Sequence, residues 1–188
     1  LGAVLVARGH RVILAAPETY RERAVAFGME FCPLVTTDEV QLMLTNPDLW
    51  YPWKSGIMMA RWGGPMIRRQ YKTLASLVQH SDSVFVANPG VRDARLVQET
   101  VGIPMVTLLL QPGLLPSSIA PPEMPCGLTI PKWLPHSLRN AYWLGVDAAG
   151  STLTAPWLNR VRRDLGLAPV RRLFRWWLSP ELVIGLFP

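Results

Sequence analysis

Cysteine is scarce in this chain. Cys32 and Cys126 are the only thiols among 188 residues, they lie far apart, and neither a C-x-x-C pair nor a histidine pair accompanies them. That composition excludes a disulfide framework and a zinc site, and it fits a reducing, cytoplasmic compartment. Long uncharged apolar runs are missing too: Arg, Pro or Asp interrupts every candidate before the ~18 residues a bilayer crossing needs. No spanning helix is expected. The sequence also lacks G-x-G-x-x-G and G-x-x-x-x-G-K-[ST], the loops that seat phosphates on a helix N-terminus, so no bound NAD or ATP is expected. With no G-x-S-x-G, no H-E-x-x-H and no close carboxylate pair, simple hydrolytic catalysis has no support and no resident metal is expected. Internal repeats and low-complexity tracts are absent.

What remains is a globular composition. Hydrophobic residues make up 49% and charged residues 17%, with mean hydropathy +0.19, which provides ample apolar surface for a packed core. The net charge of +6 and pI near 9.9 raise the question of an anionic partner. Pairs such as Arg68-Arg69, Arg162-Arg163 and Arg171-Arg172 fall in stretches that read as amphipathic helix, where a solvated face is the plain explanation. The run from Arg160 to Arg175 is interleaved with Leu165, Leu167, Leu173, Phe174, Trp176 and Trp177, a pattern that suits attraction to an anionic membrane surface. Nucleic acid is not an expected partner, since no recognised binding motif appears.

The opening LGAVLVARGH reads as the end of an amphipathic helix with Gly9 as its stop, so the chain is expected to begin in mid-fold, with a first strand missing. A strand over Val12–Ala16 follows. Pro17-Glu18 then opens a helix carrying Tyr20, Ala24 and Phe27, which Gly28 ends. Met29–Leu34 reads as a strand, and 36–65, with Asn46-Pro47, Pro52 and Gly63-Gly64, as irregular chain with helical pieces. Ile67, Tyr71, Leu74 and Val78 recur at helical spacing over Met66–Gln79. Strands at Ser83–Ala87 and Met105–Leu110 flank a helix holding Ala94, Val97 and Val101, with Gly102 as its stop. Seven prolines between Gln111 and Pro135 mark a long surface loop. Leu138–Val146 and Ala155–Leu165 read as separate helices, and Leu182–Phe187 as a last strand. Continuous apolar strands alternating with helices imply a parallel sheet covered on both faces, so the class is α/β, doubly wound and Rossmann-like.

Ligands of such sheets bind beyond the carboxyl ends of the strands. Three places qualify: Pro17-Glu18, Asn88-Pro89-Gly90 and Gln111-Pro112-Gly113. Asn88 stands directly after VFVA, where its amide could hydrogen-bond a hydroxyl; Asn-Pro-Gly is also ordinary turn chemistry. Gln111 after VTLLL is placed alike. Trp50, Trp53, Met58, Met59, Trp62 and Met66 either line a pliable apolar pocket or pack a core. His10 and His80 each follow a helix, where an imidazolium meets the C-terminal dipole. His136 edges the Pro-rich loop, on the surface or facing a ligand.

In this order, RGHRVILAAP (8 to 17), FGMEFCPL (27 to 34), SVFVANP (83 to 89), VGIPMVTLLLQP (101 to 112) and SPELVIGLFP (179 to 188) resemble the N-terminal half of bacterial glycosyltransferases of the GT-B fold, the UDP-glycosyltransferase, sterol glucosyltransferase and rhamnosyltransferase-like group. The resemblance implies that residues 1–188 are one acceptor-binding Rossmann-like domain, truncated at both ends and without its C-terminal donor domain. It implies transfer of a hexosyl or deoxyhexosyl group from a nucleotide diphosphate sugar, a co-substrate of the intact parent, to a hydroxyl on a small lipophilic acceptor. The family's general-base histidine would lie before this chain. Asn88 matches the position of the family's orienting aspartate, and a neutral amide can hold an imidazole tautomer but cannot stabilise an imidazolium by charge. The acceptor-site candidates are Asn88, Pro89 and Gln111 at the strand ends, with Met58 and Trp62 from the Trp- and Met-rich segment. The chain alone is expected to be inactive, cytoplasmic, and able to lie on the inner membrane. The rival readings are a non-catalytic binding or membrane-surface module, and a fragment of another Rossmann-like enzyme such as a nucleotide-binding oxidoreductase.

Overall fold

Glycine stops and short apolar strands set the framework. The computed structural model describes all residues except 79–81, 113, 114, 116, 120–129, 132 and 188, and omits the side chains of 52, 53, 55, 56, 59–64, 153 and 154. The chain forms two units, Leu1–Tyr51 and Pro52–Pro188.

In the first unit, α1 (Gly2–Ala7) ends at Gly9, whose φ of +85° is a backbone state that glycine adopts without penalty. β1 (Ile13–Pro17) then runs parallel to β2 (Glu30–Val35), with Ile13 opposite Glu30 and Ala16 opposite Pro33. Their crossover is a 3-10 turn (Glu18–Tyr20) and α2 (Arg21–Ala26), closed by Gly28 at φ +71°. Ala24 and Leu34 are its buried apolar residues. α3 (Thr37–Thr45) starts in a capping box: the Thr36 hydroxyl accepts from the Glu39 amide at 3.2 Å, and the Glu39 carboxylate accepts from the Thr36 amide at 2.9 Å.

The second unit opens with α4 (Pro52–Leu77), a single helix that carries Pro65 inside it. The expectation of irregular chain up to Pro65 is therefore corrected. Met58, Ile67 and Leu74 are buried along it, and tertiary packing of that stripe outweighs the one hydrogen bond a proline removes. β3 (Phe85–Ala87), α5 (Arg92–Val101) and β4 (Met105–Leu109) make a strand–helix–strand unit, with Gly102 at φ +78° as the stop. β4 also pairs with β5 (Leu182–Gly185), giving the order β3-β4-β5, and every described strand pairing in the chain is parallel.

Two separate helices were expected after the Pro-rich loop, but α6 (His136–Asp164) is continuous through Gly145, Gly150 and Pro156. Asp147 and Ser151, in the stretch between those two expected helices, lie on its buried side and cap the next helix, α7 (Leu173–Trp176). Asp147 Oδ1 accepts from the Phe174 amide at 2.9 Å, and Ser151 Oγ accepts from the Leu173 amide at 2.9 Å. Gly150 permits this approach, because a Cβ there would meet the Phe174 ring at 2.8 Å. The unit's core gathers Ile67, Leu96, Leu158, Val161, Val170 and Leu173, with Tyr71, Leu165, Leu167, Trp176 and Trp177 packed against it.

Candidate functional site at the carboxyl edge of the β3-β4-β5 sheet

Parallel pairing puts the carboxyl ends of β3, β4 and β5 on one edge. Ala87 pairs with Thr107, and Leu109 with Gly185, so Asn88-Pro89 and Gln111 both lie just beyond that edge. The structure thus brings together three of the residues singled out in the sequence. Asn88 and Gln111 are exposed, while Pro89 is fully buried. Asn88 Oδ1 accepts from the Gly90 amide at 2.7 Å, and its carbonyl accepts from the Val91 amide at 3.0 Å, the geometry of a side-chain-closed turn. Gly90 is required by closeness: a Cβ there would lie 2.9 Å from Asn88 Oδ1. The Asn88 Nδ2 donors have no protein partner among the described residues and stay available to a ligand.

The opposite edge is used differently. Glu181 Oε2 accepts from the Met105 amide at 2.6 Å while Oε1 accepts from Gln98 Nε2 at 2.9 Å. Ser179 Oγ donates to the Met105 carbonyl at 2.6 Å, and the Ser179 amide donates to the buried Thr107 hydroxyl at 2.8 Å. The polar groups at the amino edge are consumed in holding β5 onto β4. At the carboxyl edge Asn88 Oδ1 closes its turn, and Asn88 Nδ2 and Gln111 are left for chemistry or solvent.

One residue went unnoticed in the sequence. Asp93, in the first turn of α5, is buried, and among the described residues its Oδ2 has no hydrogen-bond partner; neither has Nε of neighbouring Arg92. Desolvation pushes the Asp93 carboxyl up to about 6, against the hydrogen bond from its own amide and the nearby Arg92 charge. Burial also lowers the Arg92 guanidinium, though the Asp93 charge opposes this. The signal was present: Asp93 stands four residues before buried Val97, on the apolar side of the helix. An acidic first turn reads by habit as a partner of the helix dipole, which hid it.

The other candidates fall elsewhere. Met58 is buried on α4, and the Trp62 side chain lies outside the described residues, as do His80 and Cys126. His10 is exposed beyond α1, its amide donating to the Leu5 carbonyl at 3.1 Å. His136 opens α6, and its Nδ1 donates to the Ser118 carbonyl at 3.1 Å, beside Arg139 Nη1, which reaches the same oxygen at 2.9 Å. Cys32 is half-buried in β2, where desolvation raises its thiol. Among the described residues no group of three His, Cys, Asp or Glu is gathered as a metal site needs, and no helix is long and apolar enough to cross a membrane.

No family model matches the sequence, and no curated protein matches it significantly. Solved structures do resemble it. A Streptomyces sp. SF2575 glycosyltransferase, SsfS6, is 18% identical with a TM-score of 0.53, covering 100% of this chain and 45% of its own. The same enzyme complexed with thymidine diphosphate gives 19%, 0.54, 100% and 44%. The glycosyltransferase of kitacinnamycin is 17% identical with a TM-score of 0.58, covering 99% of this chain and 41% of its own. This chain therefore spans less than half the length of the structures it resembles. At such identity the likeness establishes the fold alone: a Rossmann-like α/β arrangement that matches somewhat less than half of each of those structures.

Proposed function

We propose that this chain is the acceptor-binding half of a glycosyltransferase. In the parent, a hexosyl or deoxyhexosyl group passes from a nucleotide diphosphate sugar to a hydroxyl of a small lipophilic acceptor. The observation that carries the reading is the coincidence of a GT-B-like fold with free polar groups, Asn88 Nδ2 and Gln111, at the carboxyl edge of the sheet. Thymidine diphosphate bound to one of the similar enzymes supports a nucleotide diphosphate as the donor's leaving group. Donor binding belongs to a domain outside this chain, and so does the general base; Asn88 orients rather than deprotonates. No metal or other cofactor is required of these residues. In this reading the protein works in the cytoplasm, with peripheral contact at the inner membrane as the alternative setting.

The test is a pair of measurements. The 188-residue chain, incubated with UDP-glucose or a thymidine diphosphate sugar and a sterol, macrolide or fatty-acyl acceptor, transfers no sugar. Its tryptophan fluorescence nevertheless changes on titration with at least one of those acceptors. Transfer by the chain alone overturns the division of labour; the absence of any fluorescence change across the acceptors overturns the lipophilic-acceptor reading.

A further inference from the structure

The stretch 160–175 separates by chemistry once folded. Its apolar members turn inward: Leu173 is buried, and Leu165, Leu167 and Trp176 pack on the core. Phe174 meets Trp177 edge to face, with centroids 4.6 Å apart. Trp176 also donates through Nε1 to Glu99 at 2.9 Å and lies 5.1 Å beneath the Arg162 guanidinium. Arg162 is buried and ion-paired with Glu99, so it too belongs to the core. The aromatics that suggested insertion into a membrane interface are thereby spent on packing.

Apart from Asp164, every charge of the stretch that stays outside is an arginine. Arg160, Arg163, Arg171, Arg172 and Arg175 are exposed. Arg160 lies over the Trp157 ring at 5.3 Å, and none of the five has a carboxylate partner among the described residues. The one acid in the stretch, Asp164, is already ion-paired with Arg68. The fold draws these charges together: Asn159 Nδ2 donates to the Val170 carbonyl at 3.0 Å, and the Val170 amide donates to Asn159 Oδ1 at 2.7 Å. That clasp sets Arg171 and Arg172, which follow Val170, beside Arg160, which follows Asn159. Arg163 stands one helical turn further along α6, and Arg175 lies on α7, which packs against α6.

We propose that Arg160, Arg163, Arg171, Arg172 and Arg175 form a docking surface for an anionic lipid bilayer that binds by charge alone, without side-chain insertion. Charge density suffices for attraction to acidic headgroups, each basic residue near such a surface adding about fivefold in affinity. A single-stranded nucleic acid would need exposed aromatic platforms, and here the tryptophans of the stretch are packed inward. The proposal stands on these arginines and is independent of glycosyl transfer.

Flotation of the 188-residue chain with vesicles tests it. Expected are binding to phosphatidylcholine–phosphatidylglycerol vesicles at low salt, loss at high salt, and no binding to phosphatidylcholine alone. The double variant Arg160→Gln/Arg171→Gln lowers partitioning roughly 25-fold, whereas Arg8→Gln/Arg23→Gln, with the same loss of charge at exposed residues of the first unit, leaves it within about twofold. Circular dichroism should show both variants folded, since all four side chains are exposed. Three results overturn the proposal: equal binding to neutral vesicles, no binding to anionic ones at low salt, or equal loss in the two double variants. Displacement from anionic vesicles by duplex DNA at low stoichiometry would reassign the surface to nucleic acid.

Discussion

The β1-β2 sheet and the β3-β4-β5 sheet are built from the same parts, yet they are anchored by different forces. Each joins short parallel strands through a helix that a left-handed glycine ends, Gly28 in one and Gly102 in the other. In the first, all five β1 residues are only half-buried, and the conspicuous tie is the forked ion pair of Arg11 with Glu30, at 2.6 and 2.8 Å. That pair lowers the Glu30 carboxyl through its hydrogen bonds, but both side chains are 54% exposed, where water and salt screen most of the gain. In the second, Met105, Thr107 and Leu109 are buried in alternation along β4, and a buried hydrogen bond from Ser179 together with a part-buried one accepted by Glu181 fastens its amino end. The lesson is that identical strand grammar leaves stability undetermined. Burial and the dielectric around the polar ties decide it.

The sharpest test of this contrast is core truncation. Leu96→Ala removes a fully buried side chain from the cluster between α4, α5 and α6, and about 3–5 kcal/mol should disappear from the urea-unfolding free energy. Leu34→Ala in the β1-β2 unit is expected at about 2 kcal/mol. Equal costs would erase the distinction.

Next in size is Asp93→Asn, which acts with the opposite sign. A carboxyl raised to about 6 in the fold binds its proton more tightly there than when unfolded. Its stabilising contribution is complete below the ordinary aspartate range near pH 4 and is lost as pH rises to about 6. Thermal stability of the parent should therefore fall over that interval, and Asp93→Asn should flatten the profile and add about 1–3 kcal/mol at neutral pH. A variant that kept the slope would assign it to another group.

A smaller effect compares the two sets of polar ties. Glu181→Gln loses the charge-assisted bond to the Met105 amide, an expected cost of about 1–2 kcal/mol. Arg11→Gln should cost under about 0.5 kcal/mol and depend on salt. Hydrogen exchange gives a second readout, with the Met105 amide protected longer than those of β1.

Much of this was legible in the sequence, and the reasons are local. VILAA, SVFVA and MVTLLL announce strands because they are short, unbroken apolar runs rich in branched residues, although β1 is only half-buried and Val84 and Val86 are exposed. Gly9, Gly28, Gly102 and Gly166 all stand where a helix or its last turn ends, each with positive φ. Asn88 and Gln111 were found by the rule that parallel sheets present ligands with the residues after their strands. What stayed hidden depends on distant partners. Pro65 and Pro156 look like helix ends, because the packing that carries α4 and α6 through them comes from other elements. Asp147 and Ser151 look solvent-facing, since the amides they cap lie in Leu173 and Phe174, and no local pattern encodes that distance.

The smallest expected change in stability, that of Asn88→Asp, bears most directly on the site. Asn88 closes its turn through Oδ1, leaving Nδ2 exposed, so its structural and ligand-binding duties reside on different atoms of one amide. Asn88→Ala removes both and should cost about 0.5–1 kcal/mol, the net worth of one exposed side-chain-to-backbone bond. Asn88→Asp keeps an oxygen for the Gly90 amide while deleting the Nδ2 donors, and its stability should stay within about 0.3 kcal/mol of the parent. If Asn88 meets the acceptor, Asn88→Asp weakens the fluorescence-detected affinity for that acceptor severalfold without a matching loss of stability. If it serves the turn alone, affinity follows stability, and Asn88→Asp binds as the parent does. The carboxyl edge would then differ from the amino edge only in exposure, and Gln111 would be the polar group left to carry acceptor recognition.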